Sequence, residues 1–165
     1  MKKTWATELL ILAILFASPT CRGDHEKPRP RECAAIAIAN AVGAAVTKGD
    51  AGLLKPTLID TRDLAWFQDA PAAKPNVAFE SKVHEEVADD VAAWASICRG
   101  GEVQSVVLGH TRRNHAVEGF AKRFDVIEDS IVHVSVRGKD VPVRIQYLFS
   151  NNGCWRLVEV GKPRG

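Results

Sequence analysis

The densest run of polar side chains in the chain is Gly109-His110-Thr111-Arg112-Arg113-Asn114-His115. Arg112, Arg113 and His115 carry groups that can hold a carboxylate or phosphate through charge-assisted hydrogen bonds. A solvated loop or helix face has the same composition, so the run is a candidate anion site that competes with a plain surface reading. Metal chemistry is not expected. His110 and His115 are five positions apart, which places them about 140° apart around a helix or on opposite faces of a strand. His84-Glu85-Glu86 lacks the second histidine of a zinc-protease helix. Cys33, Cys98 and Cys154 are separated by 65 and 56 residues, without the close pairs of a zinc site. No histidine stands beside any of them in the sequence, so thiol catalysis is not expected either, and no cofactor is implied. Asp60 and Asp63 are candidate acids, but both read first as cap and turn residues.

The elements that must position these groups change character midway. Glu32 to Lys48 reads as an alanine-rich helix with Ile38, Val42, Ala45 and Val46 on one face, ended by Gly49. Asp50 can cap a short second helix, which Pro56 interrupts near Leu54, and Thr61 can cap a third short segment from Asp63 to Phe67. Gln68 to Asn76 is rich in Ala and Pro and reads as an exposed loop. Ser81 to Cys98 is the clearest helix, with Val83, Val87, Val91, Trp94 and Cys98 in one stripe. Beyond Gly101 the period falls to two. Val103 to Leu108 reads as a strand, His110 to Lys122 is ambiguous, Phe124 to Ile127 begins a sheet, and Ser130 to Arg137 alternates. A turn at Gly138-Lys139-Asp140 leads into Val141 to Phe149, and Asn151-Asn152-Gly153 into a last strand, Cys154 to Val160. Helices first and antiparallel strands afterwards predict one α+β domain over residues 33–161, its helices packed on one face of a curved sheet.

Composition narrows the function classes. The 165 residues carry 22 Lys+Arg and 20 Asp+Glu, a net charge of +2, with 46% hydrophobic residues. Basic and acidic residues are interleaved, so there is no unopposed cationic face to capture a polyphosphate, and no nucleic-acid partner is expected. A chain this apolar is not expected to be disordered.

Met1 to Thr20 reads as a secretion signal, with Lys2 and Lys3 ahead of a nine-residue apolar run, Leu9 to Ala17, too short to span a bilayer. The following Ala17-Ser18-Pro19-Thr20-Cys21 resembles a bacterial lipoprotein signal, although the family's usual Leu three places before the cysteine and its small residue directly before it are replaced by Ser18 and Thr20. The resemblance implies lipidation of Cys21 and a membrane partner through that anchor. Arg22 after the cysteine, in place of Asp, implies the outer membrane, facing the periplasm; secretion is the alternative if Cys21 is not lipidated. Residues 21–32, with Pro28 and Pro30 among charged side chains, read as the lipidated cysteine and its tether. Three cysteines then remain for an oxidising compartment, enough for one disulfide and one free thiol. Cys98 with Cys154 is the favoured pair because each borders an element end; the other two pairings stay open.

A helix ending in Lys48-Gly49-Asp50, short broken helices, a long amphipathic helix, and hairpins finishing in Cys154-Trp155-Arg156-Leu157-Val158-Glu159-Val160 together resemble the nuclear-transport-factor-two-like superfamily, with its SnoaL-like members, over residues 34–161. The resemblance implies a cone-shaped fold, with strand in the ambiguous His110–Lys122 stretch, and a pocket between helices and sheet into which enzymes of the superfamily project Asp, His or Tyr. The apolar strand face, Val132, Val134, Val136, Val143, Ile145, Tyr147 and Phe149, is the expected pocket lining. It offers one proton-transfer group, Tyr147. The expectation is therefore an envelope protein that binds a small apolar ligand or a protein partner, the latter through the polar face around His133 and Arg144. The alternative is a small isomerase or hydratase that uses Tyr147 and an acid from the helical half, Asp60 or Asp63.

Overall fold

The computed structural model describes residues 33–69 and 76–163. The signal, Cys21, the tether and the middle of the Ala/Pro loop lie outside the described residues. Helix α1 (Ala35–Lys48) buries Ile38, Val42, Ala45 and Val46, and ends at Gly49, whose φ of 70° lets its N–H reach the carbonyl of Ala45. It starts three residues later than expected, with Ala34 at its N-cap and no side chain capping it. Gly43 sets how closely α1 lies on the sheet, because a Cβ there would fall 2.6 Å from Val103. A 3-10 turn (Ala51–Leu54) follows, capped as expected by Asp50, which accepts from the N–H of Gly52. Helix α2 (Thr61–Phe67) is capped by Asp60 and not by Thr61. The Asp60 carboxylate accepts from the N–H groups of Arg62 and Asp63, and Asp63 accepts from the N–H of Asp60, so three N–H groups are satisfied, those of Asp60 and Asp63 reciprocally. Helix α3 (Val77–Cys98) starts four residues before Ser81, capped by Asn76, and the expected stripe from Val83 to Cys98 is buried.

The strands are β1 (Glu102–Val107), β2 (His110–Ala116), β3 (Arg123–Val136), β4 (Lys139–Asn151) and β5 (Cys154–Val160). All neighbours are antiparallel, in the order β1-β3-β4-β5. β1 pairs with Ile131–Ser135 of β3, and β2 with Arg123–Glu128. The two short strands thus form one interrupted edge along a long curved strand. The interruption is tight: Gly109 donates its N–H to Ser130 Oγ at 3.0 Å, and a Cβ on it would fall 1.8 Å from the carbonyl oxygen of Glu128. Asp129, opposite the gap, has φ 62°. The ambiguous stretch is therefore strand as far as Ala116. Both hairpins turn on two positive-φ residues, Arg137-Gly138 and Asn152-Gly153, the geometry that matches strand twist. The first turn sits earlier than Gly138-Lys139-Asp140, since Lys139 already pairs with Val136.

The core lies between the helices and the sheet, with Val132, Val134, Val143 and Ile145 fully buried beneath the helical layer. Further along, the consecutive pairs Val126-Ile127 and Leu148-Phe149 are all buried; successive strand side chains point opposite ways, so both faces of the sheet are covered there. Phe67, Phe120, Phe124 and Phe149 pack with ring centroids 4.4–6.1 Å apart. A charged pair sits inside this packing. Asp63 and Arg156 are 0% and 1% exposed and 3.0 Å apart, and Asn151 donates to the second oxygen of Asp63 at 2.8 Å.

The disulfide joins Cys33 to Cys154, with Cα atoms 4.3 Å apart, and Cys98 is a free, buried thiol. The expected Cys98–Cys154 pair is not formed. Cys98 closes the buried stripe of α3, whereas Cys154 starts β5 beside the entering chain, where the Trp155 N–H donates to the Cys33 carbonyl at 3.2 Å. A disulfide fits an oxidising, extracytoplasmic location. Among the described residues no helix is long and apolar enough to cross a membrane.

Candidate functional site

Val126 pairs with Phe149 and Glu128 with Tyr147 across β3 and β4. Residues two apart on a strand share a face, so these four side chains stand together, and they wall a cavity of about 330 Å³. His115, Val117 and Glu118 close it from β2 and the turn beyond. His115 arrives there through an irregularity: the β2–β3 register shifts between Arg112 and His115, and Asn114 has φ 50°. The Asn114 N–H donates to Asp125 Oδ1 at 2.8 Å, and Arg123 Nε donates to the Asn114 carbonyl at 2.9 Å, which holds the bulge in place.

The cavity therefore has an apolar floor of Val117, Val126 and Phe149 and a polar wall of His115, Glu118, Glu128 and Tyr147. Glu128 is 19% exposed, and its Oε2 is held by Arg112 Nε at 2.9 Å. Among the described residues the Tyr147 hydroxyl has no hydrogen-bond partner. A phenol, an imidazole and a carboxylate around an apolar floor can orient a small molecule, and are the group types that move protons between carbon and oxygen.

A larger groove, about 840 Å³, lies at the far end of β4 between Trp94 and Ile97 of α3, Val141 and Pro142 of β4, and the chain after β5. Three of its charged groups, Asp129, Asp140 and Arg144, are already matched. Arg144 bonds Asp129, and His133 Nδ1 lies 2.8 Å from Asp140 Oδ2. The groove borders an open strand edge, because β5 pairs with β4 only from Ile145 onward. The Gly161 N–H donates to the Arg144 carbonyl at 2.9 Å, so the backbone groups of Arg144, Pro142 and Asp140 face that edge, and proline there removes a donor. An incoming strand meets an incomplete ladder.

Near the groove, α3 and β5 bring Asp90, Glu86 and Glu159 together. Burial pushes the Asp90 carboxyl above its usual range; Lys162 opposes the shift, and Glu86 and Asp89 add to it. Glu159 is raised by burial, then by Asp90 and Glu86, against Arg144 and Lys162. No group of His, Cys, Asp and Glu able to hold a metal occurs among the described residues.

The sequence-derived site residues separate. Tyr147, Phe149 and His115 meet in the smaller cavity, while Val134, Val143 and Ile145 are interior packing and line neither hollow. Arg112 and Arg113 leave a strand on opposite faces and Arg112 is engaged by Glu128, so the three proposed anion ligands do not converge. Asp60 and Asp63, the candidate helical acids, serve the cap and the buried ion pair. His133 and Arg144 are matched by acids on neighbouring strand positions. Glu118 and Glu128 were missed; the signal for Glu128 is its two-residue spacing from Val126, which becomes informative only once the register opposite Tyr147 is known. No protein-family model, curated protein or solved structure matches this chain.

Proposed function

We propose that the chain is an exported, lipid-anchored envelope domain that binds a small ligand in the Tyr147 cavity. The observation that carries the ligand site is the convergence of Tyr147, His115 and Glu128 on an apolar floor in about 330 Å³, within the range of small-molecule sites. The anchoring half rests on the signal-like Met1–Thr20, on Cys21 and on the Cys33–Cys154 disulfide.

Intact-mass measurement on protein taken from membranes tests the anchor: the expected chain begins at Cys21 and carries acyl groups, and an unmodified chain starting elsewhere overturns it. Native mass spectrometry tests the site. A ligand mass present in the wild type is expected to vanish in Ala116→Trp, which fills the cavity rim; a ligand retained by that variant belongs elsewhere.

The presence of His115 and Glu128 beside Tyr147 favours a second reading, a small isomerase or hydratase. Its acid or base would come from the strands, since Asp60 and Asp63 are engaged in structure. Turnover lost in Tyr147→Phe with ligand affinity retained would establish it, and a bound ligand recovered chemically unchanged would remove it.

A further inference from the structure

We propose that the Tyr147 cavity selects a small organic monocation, an amine or quaternary ammonium with an apolar body; this rests on the cavity being the ligand site. Its lining carries two carboxylates, Glu118 and Glu128, and the imidazole of His115, with no lysine or arginine. Arg112 holds only Oε2 of Glu128, so two carboxylates set against one guanidinium leave a surplus of one negative charge while the His115 ring is neutral. Oε1 of Glu128 has no hydrogen-bond partner among the described residues and is available to a ligand N–H.

The apolar wall points the same way. Tyr147 and Phe149 stand with ring centroids 6.4 Å apart and planes inclined by 55°; Phe149 is buried against Phe67, Phe120 and Phe124, so the half-buried Tyr147 ring is the one whose face lies within a ligand's reach. Such a face attracts a cation within about 6 Å of its centroid, more strongly as the site is desolvated. An anion would meet the negative face of the Tyr147 ring as well as the carboxylates. A neutral ligand would take water from Glu128 and return no charge. The volume, about 330 Å³, is in the range of small-molecule sites. Arg112, which the sequence offers as an anion ligand, has the opposite sense here: it orients Glu128 and trims the negative charge to one.

Three probes of similar size separate the cases by calorimetry, with the Tyr147 ring resonances followed by NMR: benzyltrimethylammonium, benzyl alcohol and phenylacetate. The cation is expected to bind about tenfold or more tighter than either competitor. Glu118→Gln and Glu128→Gln should each weaken it about 3–10-fold. Arg112→Gln should tighten it about threefold, an increase that loosening of the β2–β3 pair would not produce. Phenylacetate or benzyl alcohol binding as tightly as the cation overturns the proposal while leaving the ligand site standing, as does a weaker cation complex in Arg112→Gln. If none of the three binds and the Tyr147 resonances stay unmoved, the ligand site falls together with the proposal.

Discussion

Asp63 and Arg156 show how one side chain can hold several elements. Asp63 belongs to the cap of α2, accepts from Asn151 of β4 and pairs with Arg156 of β5, all within the packed interior. Removing one partner of a buried pair strands the other charge, at about 3–5 kcal/mol. Arg156→Met is therefore expected to lower stability by that amount in urea unfolding, and the double variant Asp63→Leu, Arg156→Met to recover much of it; a double variant as unstable as the single one would contradict this account. Asp90 gives the reverse case. Its folded carboxyl titrates above the unfolded one, so between those two values the folded state holds the extra proton, and stability rises as pH falls through that window. Asp90→Asn should raise the melting temperature at pH 7, by roughly 4 °C for each kcal/mol relieved, and the gap should close as the pH falls below the ordinary aspartate range. The Asp63–Arg156 pair is not legible in the sequence, because partners 93 residues apart leave no local pattern, whereas the capping role of Asp60 and Asp63 is nearly readable from their spacing.

Among the elements, α1 and α3 were legible because a buried face repeats every 3.6 residues, and the β4–β5 hairpin because Asn-Gly tolerates the required positive φ. β2 was not. All of it but His115 is exposed, so no alternation marks it, and it is strand only because β3 lies beside it. The place of the cavity is not legible for a related reason. Alternation places Val132, Val143, Ile145, Tyr147 and Phe149 on one wall, and the β3–β4 register runs unbroken past Asp129; the helices bury Val143 and Ile145, so the cavity opens only further along, at Tyr147 and Phe149. Between β1 and β2, Gly109 permits the close approach to β3, and Gly109→Ala, with its Cβ driven onto the Glu128 carbonyl, is expected to cost about 1–3 kcal/mol in urea unfolding. Pro142 guards the open edge of β4. Pro142→Thr restores the missing N–H and is expected to produce concentration-dependent association in sedimentation; a variant that stays monomeric would show that the edge is protected by other means.

At the scale of the molecule, the cysteine count foretold one bridge and one free thiol, but the pairing required the fold that brings the chain's entry to the last hairpin. Closing 121 residues into a loop stabilises the fold by about 4–5 kcal/mol on the chain-entropy account. Replacing Cys33 and Cys154 together by Ser should lower the unfolding free energy by up to that amount, with the core spectra unchanged. The bond also decides how the domain bears a load. Tension arriving along the chain before Cys33 passes directly into Cys154 and β5, and the helices and β1 to β4 are bypassed. About 400 Å of contour length stays locked behind one sulfur–sulfur bond, so a pulled domain can yield only the short segment after Cys154 until that bond is reduced.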